Sequence, residues 1–160
     1  MKIRVLWFGR SGSGPWEEEI ARYRRTVDRR WPTEDRALRP VSGGRDDDPR
    51  RILREEARVL ERALDPAAVL AVLDEGGRAM TSEAFAAWLA DLEGRAAPGV
   101  DLVVGSDLGL DPDIARRARL VLSLSAMTLP HQLARLLLWE QLFRATHILG
   151  GGGYHRPNVQ

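Results

Sequence analysis

Near the end of the chain Tyr154, His155 and Arg156 stand side by side after four glycines, Gly150 to Gly153. A phenol can stack or hydrogen-bond, an imidazole can move a proton near neutral pH, and a guanidinium can hold an anion. Four glycines give the preceding backbone wide freedom, so one reading is a tail that folds over a bound substrate. A solvated terminus is the ordinary state of such residues, and the composition leaves both readings open. The other histidines, His131 and His147, read as structural or surface residues, one in the first turn of a helix and one in a short terminal strand over Thr146 to Leu149. Their spacing does not make a zinc site. The chain has no cysteine, which excludes a thiolate nucleophile, a disulfide framework and any Cys-ligated metal. No metal is expected.

Three further segments combine glycine, hydroxyl and acidic residues: Asp74-Glu75-Gly76-Gly77 after Leu73, Gly105-Ser106-Asp107-Leu108-Gly109, and Ser125-Ala126-Met127-Thr128-Leu129 before Pro130-His131. The second supplies free backbone N–H groups and close backbone approach, both useful to a bound anion or cofactor. It has neither the glycine spacing of a dinucleotide fingerprint nor the Gly-Lys-Ser/Thr of a phosphate loop, and it also fits an ordinary strand-to-helix turn. The third fits a serine/threonine turn with a helix cap. Met127 and Leu129 are apolar for a solvent loop and suit either the core or the flat ring of a ligand.

These segments fall between regular elements. Residues 2–8 read as a strand, and Trp16, Ile20, Tyr23 and Val27 recur at helical spacing. A weaker strand covers 33–41. The stripe Ile52, Leu53, Ala57, Val59, Leu60, Ala63 and Leu64 predicts a helix over 49–64. Ala67 to Leu73 is a buried strand ending in a tight turn. Thr81 or Ser82 caps a helix to Glu93 with Phe85, Trp88, Leu89 and Leu92 inward. Strands at 100–104 and 120–124 flank a short helix opened by Asp111-Pro112, and Pro130 opens a helix to Ala145. Strands alternating with helices predict an α/β fold with a mostly parallel sheet covered on both faces, in which ligands bind beyond the strand C-termini. All three loops lie at that edge.

At 160 residues the length suits one domain. A net charge of +1 gives no bulk electrostatic case for nucleic acid. Arg4 interrupts the first apolar block and no small-residue cleavage site follows, so the start reads as a strand rather than a signal peptide. No apolar run approaches the ~18–20 residues of a membrane span. The expected location is the cytoplasm, with no membrane partner.

Leu73-Asp74-Glu75-Gly76-Gly77, the Gly105 turn, Ser123-Leu124-Ser125-Ala126-Met127-Thr128-Leu129-Pro130-His131 and Tyr154-His155-Arg156 together resemble the bacterial large-subunit rRNA pseudouridine N3-methyltransferases, the RlmH type of the SPOUT superfamily. The likeness covers nearly the whole chain. It departs at the glycine turn, where the family usually has a second glycine and this chain has Ser106, followed by Asp107 and Leu108. The resemblance implies a C-terminal trefoil knot, which the general rule against knots would argue against, and a homodimer. It implies S-adenosylmethionine as methyl donor, held largely by backbone groups, which carries over to Leu73, Gly105, Leu124, Ser125, Ala126, Met127, Thr128 and Leu129. It implies methylation of a pseudouridine N3 in a stem-loop of 23S rRNA on assembled ribosomes, with His155, Arg156 and Tyr154 on the RNA side. Two alternatives share the fold: a methyltransferase for another RNA position, and a catalytically silent ribosome-binding or assembly protein.

Overall fold

The computed structural model of the chain describes residues 1–12, 14–41 and 47–151. Among the described residues five strands alternate with five helices: β1 (Lys2–Phe8), α1 (Glu17–Val27), β2 (Thr33–Leu38), α2 (Pro49–Ala63), β3 (Val69–Ala79), α3 (Ser82–Gly94), β4 (Gly99–Val104), α4 (Pro112–Arg117), β5 (Leu120–Ser123) and α5 (His131–Leu149). The strands form one sheet in the order β2-β1-β4-β3-β5, and every pairing between them is parallel.

Side-chain alternation along β1 divides the core. Ile3, Val5 and Trp7 join α1, α3 and α5 in one apolar cluster, while Leu6 and Phe8 join α2 and α4 in the other, as the period-two pleat requires. β4 is buried along its whole length, the condition of a central strand covered on both faces. It carries one charge inward: Asp101 faces its register partner Arg4 across the β1–β4 ladder, with an ion contact of 2.9 Å from Arg4 Nε. Asp65 N–H also donates to Asp101 Oδ2 at 2.8 Å. Burial pushes the Asp101 carboxyl above its ordinary range, against the pull of Asp65 N–H and Arg4.

Caps set the helix starts. Asp48 accepts from Arg50 N–H, Thr81 from Ala84 N–H and Asp111 from Asp113 N–H, each filling one of the donors that a first turn leaves open.

Two expectations are corrected. The strand expected to stop at Leu73 does not stop there. After Leu73 pairs with Leu122 the register jumps, so that Arg78 pairs with Leu122 again and Ala79 with Ser123. Residues 74–77 form a detour that leaves the ladder and returns to β5, and Gly77 permits the return because a Cβ there would lie 2.7 Å from Val121 O. The terminal strand expected over Thr146 to Leu149 is helix, the last turn of α5. Thr146 Oγ1 donates to Phe143 O at 2.7 Å, the Phe143 and His147 rings meet at 4.6 Å, and Gly150 N–H closes on Thr146 O at 3.0 Å. Tertiary packing there overrides the β preference of Thr146 and Ile148.

Candidate cofactor site

β4 feeds a helix on one face of the sheet and β5 feeds one on the other, with β3 between them, so their connections diverge and open a crevice at the strand C-termini. The crevice is a cleft of about 670 Å³, within the size range of small-molecule sites. All three segments singled out by residue type meet in it.

Its apolar wall is made by Leu73, Val104, Leu110, Leu122, Leu124 and Leu129. Gly105 begins a tight turn in which Ser106 N–H donates to Gly109 O at 3.1 Å and Gly109 N–H returns to Ser106 O at 2.9 Å. A Cβ on Gly105 would lie 2.5 Å from Gly109 O, so only glycine lets the two backbones approach this closely. Gly109 takes φ +85, a left-handed conformation suited to glycine. Ser106 closes the same turn through its side chain, its Oγ accepting from Leu108 N–H at 3.3 Å. The turn therefore closes with serine in place of the second glycine.

The segment from Ser123 to Pro130 is a serine turn and a wall of the cleft at once. Ser125 Oγ accepts from Met127 N–H at 3.0 Å, and Ser123 Oγ lies 3.0 Å from Ser125 O and 3.1 Å from Glu75 O. Thr128 Oγ1 donates to Glu75 Oε2 at 2.5 Å. The wall from β5 is thus pinned to the detour in β3. Met127 lines the cleft with 77% of its surface exposed, which overturns a core position for it, whereas Leu129 packs partly against the larger apolar cluster. Ala126 is exposed and does not line the cleft; it is the one expected backbone contact that the cleft omits.

α5 is fixed at its start by a buried network. Arg135 Nη1 donates to Glu17 Oε1 at 2.6 Å, Arg135 Nε to Asp35 Oδ1 at 3.2 Å, and Trp139 Nε1 to Asp35 Oδ1 at 3.0 Å. The guanidinium lies 3.9 Å from the Trp7 ring centroid, a cation–π contact. Burial would lower the Arg135 guanidinium, but the bonds to Glu17 and Asp35 outweigh it and raise it above its ordinary value. The same bond to Arg135 holds the Glu17 carboxyl below its ordinary range. This network ties α5 to α1 and β2, and it sets where His131 and Ala134 meet the cleft.

His131 is a cleft residue rather than a bystander: it lines the cavity and its Nδ1 lies 2.6 Å from Asp107 Oδ1. Asp74, Glu75, Asp107, Leu110, Leu122 and Ala134 also line it and were not singled out as ligand contacts. The signal for the first three was their place inside loops already marked, since side chains flanking a glycine at a strand end share that loop's exposure. His147 sits on α5 against Phe143. Tyr154, His155 and Arg156 lie outside the described residues. Among the described residues no group of three or more His, Cys, Asp or Glu side chains is placed to hold a metal ion, and no helix is long and apolar enough to cross a membrane.

A parallel α/β sheet with a ligand cleft at its carboxyl edge is the architecture of many nucleotide- and cofactor-dependent enzymes, and relatives narrow it. The chain belongs to the SPOUT methyltransferase family, whose model, described as predicted SPOUT methyltransferase, matches residues 1–155. It is 39% identical over 159 residues to the ribosomal RNA large subunit methyltransferase H of Rhizobium meliloti, with 98% of this chain and 99% of the relative covered. The protein of the same name from Allorhizobium ampelinum is 36% identical over 159 residues with the same coverage. Solved structures agree on the fold. A probable methylase family protein from Haemophilus influenzae Rd KW20 aligns with a TM-score of 0.57 at 14% identity, over 99% of this chain and 72% of the other. A probable methyltransferase from Bordetella pertussis Tohama I aligns at 0.52 and 17% identity, over 90% and 95%.

Proposed function

We propose that this protein transfers a methyl group from S-adenosylmethionine to N3 of a pseudouridine in a stem-loop of 23S rRNA, on the assembled ribosome and as a homodimer, with the donor bent in a C-terminal trefoil knot. The observation that carries the reading is the cleft: Leu73 of β3, Gly105 of the β4–α4 turn, and Leu124, Ser125, Met127, Thr128 and Leu129 of the β5–α5 connection line one cavity. Relatives of nearly equal length, named as rRNA large-subunit methyltransferases, support the substrate class.

The residues present fit the donor. The leucine wall suits an adenine ring, backbone groups of the Gly105 turn and of residues 124–129 suit its polar edge, and the carboxylates of the lining suit a cationic centre. Bound there, the donor supplies a methyl group already activated by its sulfonium, so no metal is needed. The protein's part is positioning, exclusion of water and management of one proton.

On the RNA side the roles fall to Tyr154, His155 and Arg156. His155 accepts the imino proton of the base, directly or through water, a task matched to an imidazole of ordinary pKa ~6.5. Arg156 offsets the negative charge that spreads to the base carbonyls, and Tyr154 stacks on the base or hydrogen-bonds to it. The weak net charge of the chain favours a structured ribosomal target over free RNA, with a second subunit completing the footprint. Mapping the labelled methyl on ribosomal RNA by mass spectrometry tests this reading; methylation of a short naked hairpin as fast as of ribosomes contradicts it.

A further inference from the structure

The cleft is electrostatically one-sided. Asp74, Glu75 and Asp107 line it, and among the described residues no lysine or arginine does. Each carboxylate lines the cavity and has one partner among the described residues. Asp74 Oδ1 accepts from Gly76 N–H at 2.9 Å, Glu75 accepts from the Thr128 hydroxyl, and Asp107 meets His131. Among the described residues no arginine or lysine forms an ion pair with any of the three. The three come from two separate places in the chain, 74–75 from the detour within β3 and 107 from the β4–α4 turn, and meet at one cavity.

Accepting the methyl-donor reading above, we propose that Asp74, Glu75 and Asp107 make the cleft a charge discriminator, which holds the sulfonium donor more tightly than the thioether left after methyl transfer. The donor and that product share the adenosine, the ammonium and the carboxylate. They differ by one methyl group and one positive charge, because the S–C electron pair stays on sulfur when the methyl leaves. Any preference the carboxylates create therefore falls on the donor alone, and transfer itself weakens the hold on the product. Since all three side chains are solvent-facing, the attraction is that of partly screened charges, a few-fold for each carboxylate, and it declines with salt.

The test is calorimetric titration of the full-length protein with S-adenosylmethionine, S-adenosylhomocysteine and sinefungin, which carries an ammonium in place of the sulfonium. It is run at low and high salt on the wild type, Glu75→Gln, Asp107→Asn and Asp74→Asn. The wild type is expected to prefer S-adenosylmethionine over S-adenosylhomocysteine by about tenfold at low salt, with sinefungin siding with the cationic donor. The preference should shrink about two- to threefold in at least Glu75→Gln or Asp107→Asn, through weaker donor binding at nearly constant product binding. High salt should shrink it in the wild type, a readout that needs no variant. Equal donor-to-product ratios in every protein at both salts, with binding intact, overturn the discriminator. Absence of binding by all three ligands to the wild type overturns the cofactor reading itself.

Discussion

His131 on the first turn of α5 lies 2.6 Å from Asp107 on the β4–α4 turn, so one contact joins the two connections that wall the cleft. A second, from Thr128 to Glu75, joins the segment before α5 to the detour in β3. The 124–131 segment is thus tied to both neighbouring walls by side chains that also line the cleft.

The His131–Asp107 contact is a positioning device more than a stabilising one, because the Asp107 side chain is 81% exposed. A double-mutant cycle with His131→Ala and Asp107→Ala, followed by urea unfolding, should give a coupling below about 1 kcal/mol. Donor affinity by calorimetry should fall further in each single variant than that coupling accounts for. A coupling of several kcal/mol would make the contact structural.

Gly105→Ala tests the close approach in the turn. The new Cβ would sit 2.5 Å from Gly109 O and 2.7 Å from its carbonyl carbon, so the turn must open. We expect a stability loss of about 1–3 kcal/mol with a larger relative loss of donor binding, measured by thermal unfolding and calorimetry. Ser106→Gly, in contrast, should leave donor binding within about twofold, because the two backbone bonds of the turn persist without the Ser106 hydroxyl.

Arg135→Met removes the cation that pairs with Glu17 and Asp35 and lies over Trp7, and leaves both carboxylates without it. The expected cost in chemical denaturation is about 3–5 kcal/mol. Since α5 carries His131 and Ala134 into the cleft, donor affinity should drop as well.

Acid sensitivity follows from the same network. The Arg135 bond depresses the Glu17 carboxyl in the fold, so its stabilisation is complete above the ordinary value of 4.5 and is lost as pH falls through the depressed one. Asp101 works the other way, since its raised carboxyl favours the fold at low pH and loses that contribution as pH climbs from 3.8 through the raised value. The slope of stability against pH should therefore be shallower below pH 4.5 in Glu17→Gln, and more positive from pH 3.8 upward in Asp101→Asn, than in the wild type. Equal slopes in all three would refute the assignment.

Most of the fold was legible because strong local signals agreed with the tertiary outcome. Asp111-Pro112 marks a helix start, and Val100 to Val104, apolar but for Asp101, reads as a buried strand. Two places were not legible. The Leu73–Gly77 segment reads as a terminating turn, yet Gly77 permits a return to β5 that depends on a partner far away in sequence. Thr146 and Ile148 are β-branched, yet Phe143 and His147 pack along a helix. At the site, the loops were visible from glycine and hydroxyl content, and the SPOUT resemblance assigned them before the cleft brought them together. The acidic lining was missed because Asp74, Glu75 and Asp107 look like ordinary turn residues until the two connections are seen to face one cavity.

His155→Ala separates proton management from donor binding. It should leave the S-adenosylmethionine affinity within about twofold while lowering the methyl-transfer rate by about 10²–10⁴. An unchanged rate across pH removes His155 as the base.

The most direct measurement is to incubate the protein with methyl-labelled S-adenosylmethionine and ribosomes that lack the modification, then map the label by mass spectrometry. The account predicts one methyl on N3 of a pseudouridine in 23S rRNA. No transfer to 23S rRNA, or a methyl on another atom or position, contradicts it.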